Sequence, residues 1–285
     1  MNKRSKGLKA SLITLLLLSM SALLAGCVTG EPFLTKDTRL KNGKEYRLEI
    51  GGEFKKPEGT GPFPTVIILQ SCGGTTASLY GWADKFKEWG YASFLVKSLE
   101  ARGMQVCEKT SFNRAIMYAD VASDAFGALE HLSKRSDVDP TKIAVIGFSM
   151  GAGAINDWIL TKPQAPGPVD FVGAISFYQY CNSAMRALNR YPVLQVTASL
   201  DYNHSPTCEN YKSTWSKYSV FEPDVAKNLD RLTVVTYKNI HHAFDDSKHS
   251  SMRADVSGNT MLYDRKAHQA SIIEVKNFLN KIFSK

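Results

Sequence analysis

The stretch Gly147-Phe148-Ser149-Met150-Gly151 places one serine between two glycines, directly after the apolar run KIAVIGF. The pattern G-x-S-x-G between a strand and a helix is typical of a sharp turn that exposes a nucleophilic hydroxyl, because larger flanking side chains would clash. An ordinary glycine-rich turn is the structural alternative. A phosphate-binding loop is less favoured, since the spacing matches neither G-x-G-x-x-G nor a lysine-containing Walker loop. The stretch therefore favours Ser149 as a nucleophile.

A serine nucleophile needs a base that takes its proton and a carboxylate that orients the base. In hydrolases with this turn, the chain order is serine, then acid, then histidine. Asp201 follows the apolar run VLQVTA, and His241 and His242 follow the run LTVVTY. A turn-forming aspartate and a polar histidine loop are the common structural alternatives. Their order after Ser149 favours a catalytic role for Asp201 and one of the two histidines.

Acyl transfer also needs two backbone N–H groups that bind the developing oxyanion. One comes from the residue after the nucleophile, Met150, and the other from a loop after an earlier strand. The run TVIILQ continues into SCGGTT, where Ser71 or Cys72 can supply the second N–H beside two glycines. This mechanism requires neither a metal ion nor an organic cofactor.

Apolar, β-branched runs alternate with segments of helical spacing. The runs predict buried strands at residues 65–70, 92–98, 142–148, 171–178, 193–198 and 232–237. The intervening spacing predicts helices at 78–90, 112–135, 151–162 and 264–283. This alternation predicts an α/β fold with a mostly parallel central sheet and helices on both faces. Because the carboxyl ends of the strands then meet at one edge, the candidate residues are expected to lie together.

The first 26 residues have a basic start and an apolar stretch of signal-peptide length. An uncleaved transmembrane anchor is less favoured, since the apolar run is shorter than the roughly 20 residues that a spanning helix needs. The stretch ends in LAGC, which resembles the lipobox of bacterial lipoproteins. We expect a lipoprotein signal peptide over 1–26, lipidation of Cys27, a tether over 27–44 and one domain over 45–285. We therefore expect an exported protein that is anchored on the periplasmic or extracellular side of a bacterial membrane.

The net charge of +8 is weak evidence for a nucleic-acid partner. Four basic residues lie in the leader, and their removal lowers the net charge to +4. No stripe of Lys and Arg with interleaved aromatic residues occurs, so a solvated basic surface is favoured over nucleic-acid binding. The expected partners are an ester substrate and, through the lipid anchor, a membrane.

Four cysteines follow position 27: Cys72, Cys107, Cys181 and Cys208. An even number in an exported chain suggests disulfide bonds, and three pairings are possible. Free buried thiols are the alternative. No C-x-x-C spacing occurs, which argues against a zinc site.

On these residues the chain resembles the dienelactone hydrolase family of the α/β-hydrolase superfamily over nearly all of residues 45–285. The resemblance rests on PFPTVIILQSCGG, SLEARGMQVC, DAFGALEHL, IGFSMGAG, FYQYC, ASLDYNHSPTC and HHAFDD. It implies an α/β-hydrolase fold and hydrolysis of carboxylic esters or lactones through an acyl-enzyme. It selects His242 as the base and Asp201 as the orienting acid, with the amides of Met150 and Cys72 binding the oxyanion.

Two features depart from the family pattern. Relatives that hydrolyse dienelactone use a cysteine nucleophile where this chain has Ser149, and many carry His-Gly where it has Gln70-Ser71. The GFSMGAG turn also looks like that of secreted polyester hydrolases, so small-molecule and polymeric esters are both candidate substrates. A non-catalytic lipoprotein that uses the scaffold for binding and a peptidase on the same scaffold are the alternative functions.

With the resemblance, the four cysteines fit two bridges, Cys72 to Cys107 and Cys181 to Cys208. Each pair follows strands that a right-handed crossover fold can place near one another. In the chain-entropy account, each bond would contribute roughly 3 to 4 kcal/mol.

Arg102 and Tyr178 are further pocket candidates outside the catalytic set. Arg102 could face a carboxylate on the substrate. A surface or loop-bracing role is the favoured interpretation for both residues.

Overall fold

A computed structural model describes residues 30–37, 39–41, 44–107, 118–160, 167–179, 191–202, 210, 230–255 and 258–284. The predicted signal peptide, the lipidation site Cys27 and the predicted Cys181–Cys208 bridge lie outside these ranges. Among the described helices, none is long and apolar enough to cross a membrane.

A central eight-stranded sheet carries the fold, and two short strand pairs lie beside it. The strands are β1 (Glu31–Leu34), β2 (Arg39–Lys41), β3 (Lys44–Tyr46), β4 (Glu49–Lys55), β5 (Phe63–Leu69), β6 (Ala92–Val96), β7 (Val138–Phe148), β8 (Gly173–Phe177), β9 (Val193–Ala198), β10 (Leu232–Tyr237), β11 (Arg253–Ala254) and β12 (Thr260–Met261). The sheet order is β1-β4-β6-β5-β7-β8-β9-β10. Strands β5 to β10 run parallel, whereas β4 is antiparallel to both β6 and β1.

Helices cover both faces of this sheet. They are α1 (Ala77–Glu88), α2 (Tyr118–Leu132), α3 (Met150–Ala154), which continues as a π-helical turn over Ile155–Ile159, and α4 (Arg265–Phe283). Two short 3₁₀ turns lie at Glu100–Arg102 and Ser247–His249. Helix α1 buries Leu79, Trp82, Ala83 and Phe86. This spacing is that of one helix face packed on a core.

Two apolar clusters, one on each face of the sheet, confirm the predicted fold class. One cluster contains buried side chains of α2 and α3 and receives Ile67 and Leu69 of β5. The other contains those of α1 and α4 and receives Val66 and Ile68. Alternate residues of β5 thus face opposite clusters, as expected for a strand that is buried on both faces.

The sheet extends further toward the N-terminus than the predicted domain start at residue 45. Strand β1 pairs with β4, and Phe33 is buried and packs edge-on against Phe94 at 5.5 Å between ring centroids. Next to the strand, the Lys36 N–H donates to the Ser123 carbonyl of α2 at 3.0 Å. A four-residue edge strand packs on the domain with only one buried side chain. The segment therefore has no apolar pattern that would indicate a strand in the sequence.

Candidate active site

Ser149 lies at the carboxyl end of β7 in strained backbone geometry, with φ 50° and ψ −103°. Its N–H donates to the Phe177 carbonyl of β8 at 3.0 Å. A Cβ at Gly147 would lie 2.4 Å from the Gly151 carbonyl carbon, and one at Gly151 would lie 2.7 Å from Leu69 Cβ. The turn therefore requires both flanking glycines, for the steric reason that the sequence pattern suggests.

His242 and Asp201 form a buried hydrogen-bonded pair. His242 Nδ1 lies 2.7 Å from Asp201 Oδ2, and the two residues are 3% and 6% exposed. With the proton on Nδ1, the imidazole donates to the carboxylate and leaves Nε2 as the basic nitrogen. Strand β12 holds the histidine backbone, because the His242 N–H donates to the Thr260 carbonyl and the Leu262 N–H donates to the His242 carbonyl.

Ser149 and His242 line the same cavity, whose volume is about 240 Å³. The apolar part of its wall comes from Leu79, Val106, Phe148, Tyr178 and Met261, among others. Cys72 lines it too, whereas Asp201 contacts His242 from outside it. The structure thus brings together the nucleophile, base, acid and loop that the sequence predicts.

The two predicted oxyanion donors come from two different segments of the chain. Met150 begins α3, and Cys72 lies in the loop after β5. Within the described part of the chain, hydrogen bonds engage the N–H groups of Gly73, Gly74 and Gly151, but not those of Met150 and Cys72. Neither amide therefore has a hydrogen-bond acceptor among the described residues. Cys72 also forms a disulfide bond with Cys107, with the Cα atoms 4.8 Å apart.

A second buried carboxylate lies close to the histidine, at Asp245. The Tyr178 hydroxyl and the Trp82 Nε1–H donate to this carboxylate, the latter at 2.7 Å, and Asp245 is 1% exposed. The Tyr178 ring packs against the His242 ring at 4.8 Å between centroids. Burial, followed by the Asp245 charge, raises the pKa of Tyr178 well above its usual value. Sequence reasoning missed Asp245, because nothing in HHAFDD separates it from its neighbour Asp246.

Arg102 does not reach the cavity, and its loop-bracing interpretation agrees with its contacts. Its guanidinium makes two hydrogen bonds to the Asp124 carboxylate of α2, at 2.8 and 3.0 Å, and a third to the Ser98 carbonyl. Both side chains of the ion pair are buried. Tyr178, by contrast, lines the cavity.

The polar rim of the cavity includes Asp246, Lys248 and His249. Lys248 Nζ lies 3.2 Å from Asp246 Oδ2. Burial lowers the pKa of His249, whose imidazole therefore favours the neutral form. Within the described ranges, no group of three or more His, Cys, Asp or Glu side chains is arranged to hold a metal ion.

Comparison with known proteins assigns the family. The family model described as the dienelactone hydrolase family matches residues 50–283. A dienelactone hydrolase-like promiscuous phosphotriesterase from metagenomic libraries is similar in structure, with a TM-score of 0.61 and 19% identity over 89% of this chain and 98% of that one. Esterase 2 of Thermogutta terrifontis, phosphonylated by cyclosarin, gives a TM-score of 0.55 and 15% identity over 90% of this chain and 95% of that one. The chain belongs to the dienelactone hydrolase family of hydrolases, and its fold is that of an α/β-hydrolase.

Proposed function

We propose that the protein is a serine hydrolase of carboxylic esters or lactones that works through an acyl-enzyme. The observation that carries the proposal is the 2.7 Å contact between His242 Nδ1 and Asp201 Oδ2, made by a histidine that shares its cavity with Ser149. A buried carboxylate that orients an imidazole in the same cavity as a partly exposed serine is the arrangement that activates a hydroxyl.

Each group has a defined role in the proposed reaction. His242 Nε2 takes the proton of Ser149 Oγ as the oxygen attacks the ester carbonyl, and the amides of Met150 and Cys72 bind the resulting oxyanion. His242 then gives the proton to the leaving alcohol. Water, activated by the same nitrogen, cleaves the acyl-enzyme and releases the acid. Asp201 stabilises the imidazolium in both halves of the cycle without accepting its proton.

The size of the cavity favours small ester substrates. Its volume of about 240 Å³ lies below the roughly 300–1,000 Å³ that is common for ligand pockets. A short acyl group fits against the apolar wall formed by Leu79, Phe148 and Met261. A polymeric ester would have to leave most of its chain outside the cavity.

Replacement of the nucleophile tests the proposal. In Ser149→Ala, we expect hydrolysis of 4-nitrophenyl acetate to fall by at least about 10⁴-fold, with wild-type folding. A fluorophosphonate probe should label the wild type and not the variant. The phosphonylated esterase among the structural relatives supports this choice of probe. Retained hydrolysis in Ser149→Ala would refute the mechanism.

The same assay separates the alternative functions. A folded wild-type protein that neither hydrolyses short 4-nitrophenyl esters nor reacts with the probe would be a binding module. Cleavage of casein-derived peptides without ester hydrolysis would indicate a peptidase.

We also propose that the enzyme is an exported lipoprotein anchored through Cys27, which the LAGC motif after the apolar leader supports. A single acyl chain binds membranes only marginally, so several chains on one cysteine would give a stable anchor. Cells fed a radioactive fatty acid should label the wild type and not Cys27→Ser. An unlabelled wild type would contradict lipidation.

A further inference from the structure

The loop over residues 70–74, which we call the oxyanion loop, has little regular structure of its own. Its internal hydrogen bonds run from the Gly73 N–H to Ser71 Oγ and from the Gly74 N–H to the Ser71 carbonyl, both at 3.1 Å. Neither bond fixes the Cys72 amide relative to Ser149. The position of that amide must therefore depend on contacts with other parts of the chain.

One such contact is the segment around Cys107. The disulfide joins it covalently to Cys72, and the Cys107 N–H donates to the Cys72 carbonyl at 2.8 Å. A Cβ at Gly74 would lie only 2.0 Å from the Gln105 carbonyl oxygen, so the two backbones are in direct contact. The segment therefore holds the loop through a covalent bond, a hydrogen bond and close packing.

The same cysteine also reaches the other proposed oxyanion donor. Cys107 Sγ lies 3.7 Å from Met150 Sδ, and both residues are buried. Cys107 thus contacts both residues whose amides are the proposed oxyanion donors. Sulfur contacts of this kind are soft, so the covalent bond to Cys72 carries most of the constraint.

Gln70 braces the opposite end of the loop. Its buried side chain accepts a hydrogen bond from the Leu99 N–H at 3.2 Å, and its Nε2 donates to Glu100 and to Thr75 Oγ1. Its carbonyl accepts from the Gly151 N–H at 3.0 Å. Reduction of the disulfide would not remove these hydrogen bonds of Gln70. The disulfide therefore constrains chiefly the position of Cys72.

We propose that Cys107 is a positioning residue for catalysis: through its bond to Cys72 it holds the oxyanion amide, and the enzyme is fully active only while that bond is intact. The inference rests on the proposed esterase function. Dithiothreitol would break the Sγ–Sγ bond by thiol–disulfide exchange. Two electrons and two protons convert the bond to two thiols, while the reagent closes to a cyclic disulfide.

The test compares the wild type with a Cys72→Ser/Cys107→Ser double variant. We expect kcat for 4-nitrophenyl acetate to fall by about tenfold to a hundredfold, because a displaced oxyanion donor loses part of what a deleted one loses. KM should stay within about twofold, since the amide acts mainly in the transition state. The inhibition constant of a trifluoromethyl ketone, which forms a tetrahedral adduct, should rise by a factor similar to the fall in kcat/KM.

Two controls isolate the bond from general stability and from other cysteines. Val138→Ala removes buried volume at the first residue of β7, at the opposite end of the strand from Ser149. It should lower the melting temperature without changing kcat. Dithiothreitol should lower the activity of the wild type to that of the double variant and leave the double variant unchanged.

The outcomes separate this inference from the proposed function. If the wild type hydrolyses esters and reacts with the fluorophosphonate, but the folded double variant keeps wild-type kcat, the positioning role is refuted and the esterase stands. If Val138→Ala lowers kcat as much as the double variant does for an equal fall in melting temperature, the loss of activity follows general stability and the bond has no positioning role. An inactive wild type overturns the proposed function itself.

Discussion

His242 and Asp201 meet through a 2.7 Å contact although they lie 41 residues apart. They belong to the loops after β10 and β9, which are neighbouring parallel strands paired from Leu232 with Val193 to Tyr237 with Ala198. Because both strands end at the same level of the sheet, their loops emerge side by side. The parallel register therefore brings the proposed acid and base together.

The two adjacent histidines provide a matched pair for testing this relationship. His242→Ala should lower kcat for a short ester by at least about 10⁴-fold. The variant loses the proposed general base for Ser149 and, in the same side chain, the general acid for the leaving alcohol. His241→Ala should change kcat by no more than about threefold, since the hydrogen bond to Asp201 is made by His242. The measurement is steady-state hydrolysis of 4-nitrophenyl acetate. Equal losses in both variants would contradict the assignment of the base.

Tyr178→Phe separates the ring of this residue from its hydroxyl. The variant keeps the ring beside His242 and removes one donor to the buried Asp245 carboxylate. We expect the free energy of unfolding to fall by about 1–3 kcal/mol, with kcat within a few-fold of the wild type. Tyr178→Ala should additionally lower kcat, because the imidazole loses its packing partner. Urea unfolding and ester hydrolysis measure the two effects, and equal kcat values in both variants would exclude a role for the ring.

The same hydroxyl predicts a pH dependence of stability. Burial and the Asp245 charge raise the pKa of Tyr178 in the folded state, so the folded protein keeps this proton where the unfolded chain releases it. Stability from the protonated hydroxyl is complete below the ordinary tyrosine pKa of about 10 and is lost as the pH rises above it. The stability difference between the wild type and Tyr178→Phe should therefore narrow above about pH 10. A constant difference from pH 8 to pH 11 would contradict the shift.

Asp124→Asn tests whether Arg102 braces the fold or recognises substrate. Removing one charge of this buried pair leaves the guanidinium uncompensated, which should cost about 3–5 kcal/mol in unfolding free energy. The exposed residue Asp84, which pairs with Lys55, gives a control, because Asp84→Asn should cost less than about 1 kcal/mol. The ratio of KM values for an anionic and a neutral ester should not change in Asp124→Asn. A selective rise in KM for the anionic ester would favour substrate recognition.

Glu130→Gln tests whether residues before position 45 belong to the folded domain. Glu130 pairs with Lys36 at 2.8 Å and Lys134 at 3.0 Å, and the bond from Lys36 is the main cause that lowers its pKa to about 2. Because the pair is partly exposed, the variant should lose about 0.3–1 kcal/mol at pH 7.

This loss should shrink as the pH falls below the ordinary glutamate pKa of about 4.3, because the unfolded chain then takes up this proton while the folded protein, with its lowered pKa, does not. Glu88→Gln removes a more exposed ion pair with Lys85 and serves as the control. Unchanged stability of Glu130→Gln at pH 7 would contradict docking of the Lys36 segment.

Local sequence pattern predicted the strands and the tight turn at Ser149 well. The six runs from TVIILQ to LTVVTY correspond to β5 to β10, because strands buried on both faces need continuous apolar residues. The turn could be recognised because only glycine fits at the two positions that flank it, Gly147 and Gly151. Strand β1 was not readable, since its single buried side chain, Phe33, leaves too short a pattern.

The sequence by itself determined the family, the alternation of strands and helices, and the chain order of Ser149, Asp201 and His242. Each of these depends on residue type and spacing along the chain. Only the tertiary structure decided that Asp245 lies behind Tyr178, that Arg102 pairs with Asp124, and that Gln70 and Cys107 hold the oxyanion loop from both ends. Those partners lie far apart in sequence and meet because the strand order brings their segments together. No local sequence pattern encodes such a contact.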